Sequence, residues 1–86
     1  MLNVAFKASF IRKVHTLPDE LREEVVEKIE LLKNTKNHAL LKVHKLHGHL
    51  AGSFSFSVTY KIRIVFEYVS KDEVALLAIG DHDIYS

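Results

Sequence analysis

Apolar residues change their period halfway along the chain, and that change predicts the architecture. "LNVAF" at 2–6 alternates loosely before Lys7 and predicts a short strand. A first helix should follow, with Ser9 as its cap and Phe10, Val14 and Leu17 on one side. Pro18 suits the first position of a second helix, and Asp19 and Glu20 fall in its first turn, where acids complement the helix dipole. Leu21, Val25, Ile29 and Leu32 follow spacings of four, four and three and make one apolar stripe. Glu24 and Lys28 add a supporting i, i+4 pair. The pattern is lost in "KNTKN", so the helix should end near Lys33–Asn34.

Further on the period is two. In "SFSFSV" at 53–58, Phe54, Phe56 and Val58 point one way and the three serines the other. "IRIVFEY" at 62–68 repeats this, with Ile62, Ile64, Phe66 and Tyr68 opposite Arg63, Val65 and Glu67. "TYK" between them is short enough for a hairpin, "KDE" at 71–73 is a second turn, and "VALLAIG" is a third, more buried strand. Short connections favour an antiparallel meander whose apolar face two helices must cover. The expected fold is α+β: two N-terminal helices packed on one face of a small twisted antiparallel sheet. Its open face would carry Ser55, Ser57 and Arg63.

Length and composition narrow the class. The chain of 86 residues is read as one domain, 1–86, with 48% hydrophobic and 27% charged residues, a globular balance. Cysteine is absent, which excludes disulfides and thiolate chemistry. "MLNVAFKASF" has neither the basic end nor the long apolar stretch of a signal peptide. The apolar run "VALLAI" is far short of the roughly 20 residues a membrane span needs. A small soluble protein of the cytoplasm, without membrane contact, is therefore expected.

Charge alters the picture more. The net charge of +1 hides an asymmetry: residues 1–50 hold nine Lys/Arg against six Asp/Glu, and residues 51–86 three against five. Residues 33–50 hold four lysines, four histidines and no acid. Such a strip suits an anionic partner, although it also suits a solvated loop.

Three places could carry chemistry. Arg63 lies in an apolar strand on the face away from the helices, where its planar fork would fit a phosphate or pair with Glu67. In "GDHDIYS" at 80–86, Gly80 permits a tight turn that brings His82 and Tyr85 toward the open face, with Asp81 and Asp83 beside the ring. Histidine exists in both protonation states near neutrality, which acid–base catalysis requires. The same segment could instead be a tail folded over the sheet edge. The third place is "KVHKLHGHLAG" at 42–52. Zinc needs three or four tetrahedral ligands, and in a strand His44 and His47 face opposite ways, so no metal site is expected from His44, His47 and His49.

"HKLHGHLAGSFSFSVTYKIRIVFEY", followed by "VALLAIGDHDIY", resembles the RelE/ParE toxin superfamily of bacterial type II toxin–antitoxin systems. The likeness extends over nearly the whole chain and is nearest the RelE/YafQ branch. It implies a ribosome-dependent mRNA endoribonuclease that uses no metal or other cofactor, in which the RNA 2′-hydroxyl attacks the adjacent phosphate. His44 falls where YafQ-like members place a general base, His82 where they place a general acid. Arg63 matches the arginine that stabilises the phosphorane in RelE-like members, and Tyr85 lies near the aromatic that orients substrate. Lys42, Lys45, His47, His49, Ser55, Ser57 and Lys61 would line the RNA path. The set is leaner than the family's: Ser55 and Ser57 replace the lysines of RelE, Ser57 stands where YafQ has a histidine, and no acid lies near Lys61. The resemblance also implies a cognate antitoxin, the ribosome and mRNA as partners, and a hetero-oligomer with more than one copy. Two alternatives share the fold: a ParE-like poison of DNA gyrase, and a catalytically degenerate antitoxin-binding module.

Overall fold

The computed structural model describes residues 1–85. Strand β1 (Asn3–Phe6) is followed by α1 (Ala8–His15) and α2 (Asp19–Leu32), then by the two-residue strand β2 (His44–Lys45) and by β3 (Phe54–Ser57), β4 (Arg63–Ser70) and β5 (Glu73–Gly80). A 3-10 helix, His82–Tyr85, ends the described chain. None of the described helices is long and apolar enough to cross a membrane.

Both helices form where the apolar stripe demands, with small corrections at their starts. Lys7, not Ser9, occupies the cap of α1, because the Lys7 carbonyl accepts from the amides of both Phe10 and Ile11. Pro18 sits one position earlier than expected, as the cap of α2. Val25, Ile29 and Leu32 are buried, and Lys28 Nζ lies 2.8 Å from Glu24 as the i, i+4 spacing predicts.

The strand order is β1-β5-β4-β3-β2. β2 to β5 pair antiparallel, but β1 joins β5 in parallel, so the sheet is mixed. A period of two records which face a residue takes and carries no information about the direction of its neighbour.

The core joins Phe10, Val25, Ile29 and Leu32 of the helices to Phe56, Ile64, Phe66, Val74 and Leu76 of the sheet. Leu77 is an extra residue in β5: Phe66 pairs with Leu76, while Val65 pairs with Ala78. That bulge reverses the alternation. It turns Ile79 inward beside Ile64 and puts Ala78 opposite Val65 on the other face. Val65 is itself buried yet stands outside the core cluster, so the second face of the sheet has a cover of its own.

Candidate active site

The cover is the C-terminal 3-10 helix. Gly80 ends β5 opposite Arg63, and the chain turns back there, so that the Tyr85 hydroxyl donates to Ser55 Oγ at 3.0 Å. Ser55 was expected on an open face in contact with RNA. Instead it is 0% exposed, because Tyr85 lies over it and His44 closes it from the sheet edge. Nucleic acid therefore has no access to Ser55. Ser57, one step along the same face and paired with Arg63, is half-buried.

His44 is held from both sides. Its Nδ1 lies 2.9 Å from the Lys42 carbonyl and its Nε2 lies 3.2 Å from Ser55 Oγ. A carbonyl only accepts, so Nδ1 carries a hydrogen, and in the neutral form of the ring Nε2 is the acceptor. Ser55 then donates to His44 and accepts from Tyr85, which gives the three groups one direction. Lys42 adopts φ 58°, the left-handed region that costs a non-glycine residue roughly 1 kcal/mol or more. This is the turn that presents its carbonyl to the ring two residues on.

Arg63 and His82 meet elsewhere. Together with Tyr60, Lys61, Asp81 and Asp83 they line a surface cleft of about 460 Å³. Arg63 Nη1 donates to the carbonyls of Thr59 at 2.7 Å and Tyr60 at 3.0 Å, which ties the guanidinium to the β3–β4 hairpin. Among the described residues Nε and Nη2 make no hydrogen bond, and the guanidinium has no carboxylate partner, Glu67 included. A planar cation with two free donor positions beside an open cleft is suited to a phosphate. Asp81 and Asp83 in the same lining offset part of that charge.

His44 is not in that lining. With two strand spacings and two residues of offset, the Cα atoms of His44 and Arg63 are roughly 12 Å apart. The link between the two halves is Tyr85, whose ring centroid lies 5.7 Å from that of His82, edge to face. The three groups expected around one phosphate thus form a pair, Arg63 with His82, and a third, His44, joined to it through Ser55 and Tyr85.

The basic strip lies along the sheet edge. Lys42, Lys45, His47 and His49 are exposed on β2 and the turns on either side of it, and Lys61 is exposed at the cleft. His44, His47 and His49 are not gathered as a metal-ligating group, and no such group occurs among the described residues. Sequence reasoning passed over Tyr60, which is 92% exposed at the cleft rim. An exposed aromatic beside a phosphate-sized cation was the signal available for it.

No protein-family model and no curated protein sequence matches the chain. Solved structures do match in fold. A YoeB/ParE toxin from Agrobacterium tumefaciens superposes with a TM-score of 0.76 at 20% identity, covering 94% of this chain and 99% of that one. A toxin–antitoxin complex, RelBE2 from Mycobacterium tuberculosis, gives 0.72 at 23% identity, with 94% and 98% covered. A YafQ mutant from E. coli gives 0.71 at 14% identity, with 98% and 97% covered. The chain has the fold these toxins share.

Proposed function

We propose that this protein is the toxin of a toxin–antitoxin pair and that it cleaves mRNA on the ribosome without a metal. The observation that carries the reading is the cleft that Arg63 and His82 share, a guanidinium with free donors beside an imidazole. Internal attack by a 2′-hydroxyl needs a base, an acid and a cation for the extra charge. His82 protonates the departing 5′-oxygen, the free donors of Arg63 hold the pentacoordinate phosphorus, and His44 receives the proton of the nucleophile. Tyr60 offers a ring face on which a base can stack. Lys42, Lys45, His47, His49 and Lys61 extend the anion-binding surface away from the cleft.

Inducing the wild type, Arg63→Lys and His82→Gln in cells and mapping mRNA ends tests this. The wild type should leave 2′,3′-cyclic phosphate ends. Arg63→Lys, which keeps the charge and loses the fork, should cut about 100-fold or more slowly. Growth arrest with intact mRNA, or cleavage abolished by a chelator, would sink the reading. A gyrase poison is the second reading, supported by the two carboxylates in the cleft and by the YoeB/ParE neighbour. Inhibition of purified gyrase would select it; a protein with neither effect is a binding module.

The antitoxin is a partner proposed on the same footing, since the neighbour from Mycobacterium tuberculosis is a toxin–antitoxin complex. Phe6, Ile11 and Val26 are exposed apolar residues near the β1 edge and the helices, a surface fitted to an amphipathic partner segment. Chromatography of the co-expressed pair should show an assembly with more than one copy of each chain.

A further inference from the structure

The β3–β4 turn closes without the residues that usually make a tight turn. "TYKI" at 59–62 has no Gly, Pro, Asn or Asp. Side chains supply the closure instead. The Ile62 amide donates to Thr59 Oγ1 at 3.2 Å, and Arg63 Nη1 donates to the carbonyls of Thr59 and Tyr60. The same nitrogen lies 3.4 Å from the Ile62 carbonyl. One end of the guanidinium thus gathers the carbonyls of the turn and leaves Nε and Nη2 to the cleft. At the tip stands Tyr60, 92% exposed and part of the lining that Arg63 and His82 share.

We infer that Arg63 is the positioning residue for Tyr60, and that Tyr60 is a specificity residue whose ring takes the base next to the phosphate held by the same guanidinium. That the ligand is RNA rests on the nuclease reading above; the clamp on the turn does not.

A ring so exposed removes almost no apolar area from water, so the fold gains little from an aromatic at this position. A ligand would gain more, provided the ring is already held in place, because ordering a loose turn on binding offsets the contact it makes. Arg63 supplies that order. Its hydrogen bonds are charge-assisted, and its guanidinium is planar and rigid. The turn that carries Tyr60 and the donors that face a phosphate therefore move as one piece, and base and phosphate are met at a set spacing. Stacking reads the π-face of a base and not its hydrogen-bonding edge, so the selection is by stacking strength, purine over pyrimidine.

The chain has no tryptophan, so Tyr60→Trp places a single indole at the tip as a reporter that can still stack. Single-stranded RNA with 2′-O-methyl groups, which block the attacking hydroxyl, should quench that indole, a purine strand more than a pyrimidine strand. Tyr60→Ala should bind this RNA about 5- to 150-fold more weakly and level the purine preference among cut sites, a preference that Tyr60→Phe should keep. Without RNA, Arg63→Met in the indole-bearing chain should lower the fluorescence anisotropy. The Tyr60 amide of the wild type should have an order parameter of about 0.85, as a strand does. Bound RNA that leaves the indole unquenched, Tyr60→Ala binding as tightly as the wild type, an anisotropy unchanged by Arg63→Met, or an order parameter below about 0.6 would each overturn the inference. Should Arg63→Met fail to fold, the order parameter and the quenching still decide it. RNA that binds and quenches but is never cut would remove the nuclease reading and leave the base site standing. A protein that binds no RNA overturns the base site, whatever the order of its tip.

Discussion

Gly80→Ala is the most exacting test of how the tail holds the site. Gly80 ends β5, and a Cβ built there would stand 2.5 Å from Ile84 Cγ2. Carbon atoms pack at about 3.5–4.0 Å, so the gap must open by about an ångström. Cγ2 is one bond from the branched Cβ of Ile84 and cannot swing far aside, so the 3-10 helix that carries His82 and Tyr85 must move. Overpacking of this kind costs about 1–3 kcal/mol. The attachments it competes with are of similar size. The Tyr85–Ser55 bond is worth about 1 kcal/mol net, and the half-burial of Ile84 about 1 kcal/mol more. A shift of about 2 kcal/mol changes the ratio of docked to undocked tail about 30-fold. Hydrogen exchange reads this at the Ile84 amide, which donates to the Asp81 carbonyl at 3.1 Å. That amide should exchange about 5- to 150-fold faster, matching the 1–3 kcal/mol range, and cleavage should fall in parallel. Gly52→Ala is the control. Gly52 has φ 96° with no atom within 4 Å of a built Cβ, so its cost is backbone strain alone, about 1–2 kcal/mol. It should lower Tm by about 4–16 °C and leave Ile84 exchange relative to global unfolding, and cleavage, unchanged. Wild-type exchange and cleavage in Gly80→Ala, or identical behaviour of the two variants, would refute the reasoning.

Three further outcomes follow from other parts of the molecule. Phe66 is fully buried against Phe54, Phe56 and Tyr68, and Phe66→Ala should cost about 3–5 kcal/mol, most of the margin of so small a domain, as a urea melt would show. The hydrogen bond from Lys28 to Glu24 raises the Lys28 pKa above its usual value, against desolvation that lowers it. A raised pKa stabilises the fold fully below the ordinary lysine range, and the effect is lost as pH rises through the folded value. Glu24→Gln should therefore melt about 1–4 °C lower at neutral pH, the equivalent of about 0.3–0.5 kcal/mol, and the two curves should converge as pH rises through the raised Lys28 pKa. If Lys42 and Lys45 each contact a phosphate, the pair Lys42→Gln and Lys45→Gln should reduce the salt slope of single-stranded RNA binding by about 1.4; an unchanged slope would place the RNA elsewhere.

The amphipathic periods were sufficient for both helices, for β1, β3, β4 and β5, and for the faces they bury, whereas the two-residue β2 and the 3-10 helices are too short to show a period. Val25, Ile29 and Leu32 are spaced to meet one surface, and Phe56, Ile64 and Phe66 alternate to provide it, because burying apolar area dominates the free energy and is written residue by residue. Local pattern likewise put Arg63 on the face away from the helices and a glycine turn before His82. Chain direction, cover and reach were not legible there. The parallel pairing of β1, the reversal at Leu77, and the burial of Ser55 under Tyr85 each join segments remote in sequence. So does the separation of His44 from the cleft of Arg63 and His82. Sequence period reports which side of its own element a residue takes. Which groups then share a hydrogen bond depends on how distant elements stack, and that was decided only when the tail folded back across the sheet.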